Sequence, residues 1–238
     1  MTIAYGAENL TILNDINLSI FPGESVAIVG SSGSGKTTLL GLLAGMDVPS
    51  QGKVWLADEE LTALDEDGRA RVRARKVGFV FQSFQLLPSL SALENVMLPL
   101  ELKQSANARE KALELLDKTG LSHRINHRPM QLSGGEQQRV AIARAFACEP
   151  RVLFADEPTG NLDTHTGEMI IDLLFALNKE QKATLVLVTH DIELAARCDR
   201  YIELSAGEIV PEAQRHHAQQ VASRKTILQA EPLPATGD

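Results

Sequence analysis

Apolar positions along the chain follow two alternating periods. Four short apolar runs, ESVAIV at 24–29, Val77–Phe81, Val152–Ala155 and Thr184–Val188, each give way to polar or glycine-rich residues. Their length and β-branched content read as strands buried on both faces. Between them the period lengthens. From Thr164 to Lys182, Ile170, Leu173, Leu174 and Leu177 recur on one helical face, and Leu39, Leu42 and Leu43 do the same after the first run. Strands alternating with such helices predict an α/β fold with a parallel sheet. Between Gln82 and Ser133 helix follows helix, with Ala108–Thr119 stopped by Gly120, so about residues 83–132 read as a helical insert. Leu10–Ile20, Lys53–Leu56 and Tyr201–Val210 look strand-like, the last turning at Ser205-Ala206-Gly207, and predict a small antiparallel β portion. From Pro211 the periodicity fades, so residues 1–210 read as one domain and 211–238, with Pro232, Pro234 and Gly237, as a flexible tail.

Composition narrows the partners. Against 31 Asp and Glu stand 23 Lys and Arg, a net charge of -8, which leaves no basic footprint for nucleic acid. The same charge is repelled by anionic lipid, so attachment to a membrane is expected to run through a protein partner. No stretch approaches the roughly 18 apolar residues of a membrane span, and MTIAYGAENLTIL lacks the pattern of an export signal. Cys148 and Cys198 are too few for a disulfide framework or a zinc site, and a reducing cytoplasm fits. His216 and His217 lack the further ligands a metal site needs.

The chemistry lies in three stretches. Gly30-Ser31-Ser32-Gly33-Ser34-Gly35-Lys36-Thr37 matches G-x-x-x-x-G-K-[ST] directly after a strand and at the opening of a helix. Glycines let the backbone turn its N–H groups inward around phosphate, the helix N-terminus adds positive potential, Lys36 reaches the β and γ phosphates, and Thr37 offers a hydroxyl to Mg²⁺. Val152-Leu153-Phe154-Ala155-Asp156-Glu157 is a strand ending in two carboxylates at the edge where open α/β sheets bind ligands. There Asp156 can hold the hydrated Mg²⁺ and Glu157 can polarise an attacking water; an acidic turn would look the same in isolation. Leu132-Ser133-Gly134-Gly135-Glu136-Gln137-Gln138 carries a capping box, Ser133 with Glu136, and two adjacent glycines. Paired glycines there suggest close backbone approach to something, and bare N–H groups at a helix N-terminus suit a second phosphate; an ordinary helix cap is the alternative.

The ordered set of P-loop, Gln82 after a strand, LSGGEQQ, a hydrophobic-Asp-Glu run and His190 after a strand resembles ABC-transporter ATPase domains over about residues 10–210. The resemblance implies a P-loop NTPase fold of the ABC-ATPase type, with ATP and Mg²⁺ as ligands. Lys36, Gln82, Glu157 and His190 would then be catalytic, and Thr37, Gln82 and Asp156 would hold the metal. Gly30, Ser31, Ser32, Gly33, Ser34, Gly35, Lys36, Thr37 and Thr38 would cradle the phosphates. Ser133, Gly134, Gly135, Gln138 and Asp163 would reach the nucleotide of an opposite subunit in a homodimer, Asp163 lying in Asn161-Leu162-Asp163, which could equally be a helix cap. The implied partner is an integral-membrane permease, on the cytoplasmic face of the inner membrane.

Finer stretches, GFVFQSFQLLPSLSALENVMLPL, LFADEPTGNLD and LVTHDIELAARCDRYIEL, resemble the group of that family containing lipoprotein-releasing LolD, macrolide-exporting MacB and YbbA ATPases, which move or extract lipophilic cargo. A solute importer's ATPase or a soluble ABC ATPase shares the catalytic motifs; LSGGEQQ and the lack of an N-K-x-D motif exclude a GTPase. The chain departs from the family at its start, which looks too late for the usual first strand and leaves Tyr5 as the nearby aromatic for adenine. The basic run Arg69, Arg71, Arg73, Arg75 and Lys76 reads as a solvated helix face balanced by Asp65, Glu66 and Asp67.

Overall fold

Where branched apolar residues run without a helical period, the computed structural model, which describes residues 2–5 and 8–214, places strands. In chain order these are β1 (Thr2–Tyr5), β2 (Glu8–Thr11), β3 (Ser25–Val29), β4 (Trp55–Leu56), β5 (Glu59–Glu60), β6 (Val77–Phe81), β7 (Val152–Asp156), β8 (Thr184–Val188), β9 (Arg200–Ser205) and β10 (Glu208–Ile209). The helices are α1 (Lys36–Leu43), α2 (Glu66–Lys76), α3 (Ala92–Leu102), α4 (Ala108–Lys118), α5 (Gly134–Phe146), α6 (Thr164–Gln181) and α7 (Ile192–Ala196).

Six strands form one sheet in the order β10-β9-β3-β8-β7-β6, parallel except for β10, which returns antiparallel beside β9. Every residue of β8 is buried, as befits a strand covered on both faces. Alternation along the strands divides the core. Leu153, Ala155, Leu185 and Leu187 face a cluster built on α5, α6 and the helices after β6, with Phe146, Ile142 and Leu116 at its centre. Phe154, Val186, Val188 and Ile28 face the opposite side, where Leu39, Leu40 and Leu42 of α1 cover them.

Parallel register lines up the strand ends. Phe81 pairs with Asp156, Asp156 with Val188, and Val188 with Ile28, so the four loops that follow β6, β7, β8 and β3 leave one edge of the sheet side by side. That edge receives every motif found in the sequence except LSGGEQQ and Asp163.

Most periodic elements stand where expected. The helix from Thr164 ends at Gln181, with Lys182 left-handed at φ 54°, and α4 ends one residue before Thr119, followed by Gly120 at φ 70°. Between Gln82 and Ser133 lie α3, α4 and two 3-10 turns. Three expectations change. Leu10–Ile20 is not one strand: β2 stops at Thr11, after which Leu13 is buried under α1 and Asn14 N–H donates to the Gly207 carbonyl at 2.9 Å. Lys53–Leu56 shrinks to Trp55–Leu56. Ahead of Leu10 a strand is present: β1 pairs antiparallel with β2, Thr2 opposite Thr11 and Tyr5 opposite Glu8. The Tyr5 side chain, His216, His217 and the tail from 215 lie outside the described residues.

The basic helix face is also rearranged. Asp65 caps α2, accepting from the Gly68 N–H at 2.7 Å, rather than balancing charge. Glu66 pairs with Arg69 and Arg73, and Glu59 from the neighbouring hairpin pairs with Arg75 and Lys76.

Candidate active site

At the C-terminal edge of the sheet a cleft of about 620 Å³ is lined by Gly30, Ser31, Ser32, Gly33, Gly35, Lys36, Thr37, Thr38, Gln82, Asp156, Glu157 and His190, with Ile12 and Val188. One loop shapes its floor. Gly30 has φ 155° and its Cα faces the Leu204 carbonyl so closely that no Cβ fits, while Gly35 opens α1 at φ 100°. Neither conformation suits an L side chain, which explains glycine at both.

The cradle is polar and unsatisfied. Lys36 Nζ folds back on the loop, donating to the Gly30 and Ser31 carbonyls at 2.7 and 3.0 Å. Ser34 is 3% exposed and its Oγ has no hydrogen-bond partner among the described residues. Burial, and then the charge of Glu157, hold the Asp156 carboxyl above the ordinary range, only partly offset by the Thr37 hydroxyl and Lys36. A half-buried carboxyl beside a hydroxyl, next to an ammonium that among the described residues donates to two carbonyls, fits a phosphate chain with a divalent cation.

Beside it, Glu157 holds a left-handed backbone at φ 46°, with its N–H donating to the Val188 carbonyl at 2.9 Å. That turn aims the carboxylate at His190, whose Nδ1 lies 2.9 Å from both Glu157 oxygens. With Nδ1–H donated to the carboxylate, Nε2 keeps a lone pair in the neutral ring and becomes a donor only in the imidazolium. Gln82 joins from β6: its Nε2 donates to Asn161 Oδ1 at 3.3 Å, and Asn161 Nδ2 returns a bond to the Gln82 carbonyl at 2.9 Å.

Ser133, Gly134, Gly135, Gln138 and Asp163 are not among the residues that line this cleft. Ser133 caps α5 in the expected box, donating its N–H to Glu136 Oε2 at 2.8 Å, and that N–H, joined by Arg124 at 2.9 Å, pulls the Glu136 carboxyl below its usual range. Asp163 caps α6, accepting from the Thr166 N–H at 3.0 Å. Within the chain Gly135 has a packing reason as well: a Cβ there would sit 2.5 Å from Thr166 Cγ2, so glycine lets α5 and α6 meet. Gln138 needs a plain correction. It is 0% exposed, and Nε2 donates to the Pro158 carbonyl at 2.6 Å, so it ties α5 to the loop after Glu157 instead of facing a nucleotide.

A match to the ABC transporter family covers residues 13–160. The chain belongs to the ABC transporter family. Its ABC relatives are close in length as well as sequence. It is 55% identical over 214 residues to the uncharacterized ABC transporter ATP-binding protein YbbA of Escherichia coli (strain K12), covering 89% of this chain and 94% of that protein. It is 50% identical over 207 residues to the lipoprotein-releasing system ATP-binding protein LolD of Pseudomonas fluorescens, covering 86% and 91%. Among solved structures, a dimer of the ATP-binding cassette MJ0796 in a post-hydrolysis state, bound to ADP and phosphate, superposes with TM-score 0.81 at 46% identity, covering 88% of this chain and 93% of that one. The ABC ATPase fold is thus shared at both levels.

Two features of this ABC ATPase went unread in the sequence. Asn161 was noticed only as a neighbour of Asp163, yet it is the residue that fastens Gln82. Arg144, absent from the sequence reading, donates to the carbonyls of Gln85 and Phe84 at 2.6 and 2.9 Å; its interruption of the apolar run RVAIARA was the available signal.

Proposed function

We propose that this chain is the ATP-hydrolysing subunit of a transporter of the lipoprotein-release or macrolide-export type, acting as a head-to-tail homodimer on the cytoplasmic face of the inner membrane with an integral-membrane permease. The observation that carries the reading is the Glu157–His190 pair set at the edge where Asp156 and the Gly30–Thr38 loop converge. Likeness to LolD, a lipoprotein-releasing system ATP-binding protein by name, supports the transport class. The ATPase domain is taken as residues 1–210, with its insert at about 83–132 and a tail from 211.

In this mechanism the N–H groups of the 30–38 loop wrap the phosphates, and Lys36 exchanges its two carbonyl partners for β and γ oxygens. Thr37, Asp156 and Gln82 would hold Mg²⁺, which when bound neutralises charge between the terminal phosphates. Glu157 accepts a proton from water as the water oxygen bonds to the γ-phosphorus and the bond to the β–γ bridging oxygen breaks, releasing ADP and phosphate. His190 holds the carboxylate in line. Lys36 and the Ser133 N-terminal turn of a second copy spread the developing charge.

Glu157→Gln is expected to bind ATP within a few-fold of the unaltered chain, to elute as a dimer with Mg-ATP in size-exclusion chromatography, and to turn over at least about 100-fold more slowly. Turnover near that of the unaltered chain refutes the role given to Glu157.

A further inference from the structure

The loop that follows Gln82 is bent into an unfavourable shape. Phe84 and Gln85 are consecutive non-glycine residues in the left-handed region, at φ 59° and 48°. Each such residue is strained unless its surroundings compensate. Locally the turn is closed by two backbone bonds, Phe84 N–H to the Phe81 carbonyl at 3.2 Å and Gln85 N–H to the Ser83 carbonyl at 2.6 Å. A three-residue turn over a residue of positive φ is rare and strained.

The stronger restraint comes from α5. Arg144 NH1 donates to the Gln85 carbonyl at 2.6 Å and NH2 to the Phe84 carbonyl at 2.9 Å, so one planar fork takes both strained residues. Among the described residues no carboxylate pairs with this guanidinium, and burial alone draws its pKa below the usual arginine value. A partly buried charge is thus spent on two carbonyls, an arrangement poor for stability by itself. The clamped turn abuts working parts on both sides: Gln82, two residues upstream, lines the cleft, and the Phe84 ring would lie 3.7 Å from a Cβ on Gly134.

We propose that Arg144 is a positioning residue for ATP hydrolysis, holding residues 84–85 in their left-handed turn and thereby setting where Gln82 stands in the cleft and where the turn meets the first residue of α5. The proposal rests on the ATPase reading above. Lysine cannot replace the fork, because a single ammonium does not fit two carbonyls in one plane.

Three variants test it. Arg144→Lys keeps the charge and loses the fork. Gln85→Pro, at an exposed position, fixes φ near −65° and forbids the turn without touching Arg144. Arg144→Lys with Gln85→Gly lets the backbone hold the left-handed shape unaided. In nucleotide-free protein, hydrogen exchange over residues 83–86 is expected to quicken about 10-fold in Arg144→Lys and to return within about 3-fold of the unaltered chain in the double variant. With Mg-ATP, kcat is expected to fall about 10-fold in Arg144→Lys and in Gln85→Pro, with KM within about 2-fold, and to recover by at least half in the double variant. Unchanged exchange in Arg144→Lys, or a loss of kcat that glycine does not recover, overturns the proposal. If the unaltered chain fails to hydrolyse ATP, the ATPase reading falls instead, and the exchange data report on the clamp separately.

Discussion

At Asp156 the needs of the fold and of the site oppose each other. Burial and the adjacent Glu157 raise its carboxyl above the ordinary aspartate range. The folded chain therefore holds this proton to a higher pH than the unfolded chain. Between the two pKa values the folded state binds more protons, so stability falls as pH climbs through that window, and the penalty is complete above the raised value. Asp156→Asn removes the ionising group. Without nucleotide, it is expected to melt about 2–4 °C higher than the unaltered chain near neutral pH, with the gain shrinking below the ordinary aspartate pKa, and to lose Mg-dependent turnover. Calorimetry at two pH values checks the first part; a lower melting temperature at neutral pH contradicts it. Lys36, Thr37, Asp156 and Glu157 were legible in the sequence because each sits in a short stretch of fixed spacing at the end of an apolar run, although their partners in space come from distant parts of the chain. Gln138 was misread because Pro158, its partner, is 20 residues away and offers only a carbonyl, which no local pattern announces.

The contact of α5 with α6 sets the scale of the element. At Gly135 the helices approach until Thr166 fills the place of a side chain, and Gly134 meets Leu162 in the same way at 3.2 Å. Gly135→Ala is expected to destabilise the chain by about 1–3 kcal/mol in urea unfolding, and Thr166→Ser, which removes the clashing methyl, to recover at least half in the double variant. Equal losses in the single and double variants would place the strain elsewhere. Elements with a sustained period were legible: α6 and the apolar strands follow from spacing alone. The segment after Thr11 was not, since Ile12 and Leu13 are apolar for another reason. They lie under the Gly35 and Gly207 turns, where Gly35 has the Leu13 Cδ2 methyl 2.8 Å from its missing Cβ. An apolar residue buried by a loop carries no period to read.

Over the whole molecule, order in the sheet does what no single motif does. Aligned ends of β3, β8, β7 and β6 gather residues 30–38, 82, 156–157 and 190 from across the chain. Among the described residues no helix is long and apolar enough to cross a membrane, so in the proposed transporter the span belongs to the permease. Its capture, by Glu157→Gln protein locked with Mg-ATP and incubated with detergent-solubilised membranes, is expected to yield an integral-membrane subunit; recovery of soluble proteins alone would count against the transport reading. The α5 N-terminal turn lies outside the cleft that its own chain forms. In genetic language, the proposed head-to-tail dimer puts the two halves of a working site in different copies of one gene product. Lys36→Ala and Ser133→Arg should each be inactive alone, yet a mixed dimer reunites the intact loop of one with the intact turn of the other. An equal mixture is then expected to recover up to about a quarter of normal turnover, since half the dimers are mixed and each keeps one sound site. Two dead alleles would complement.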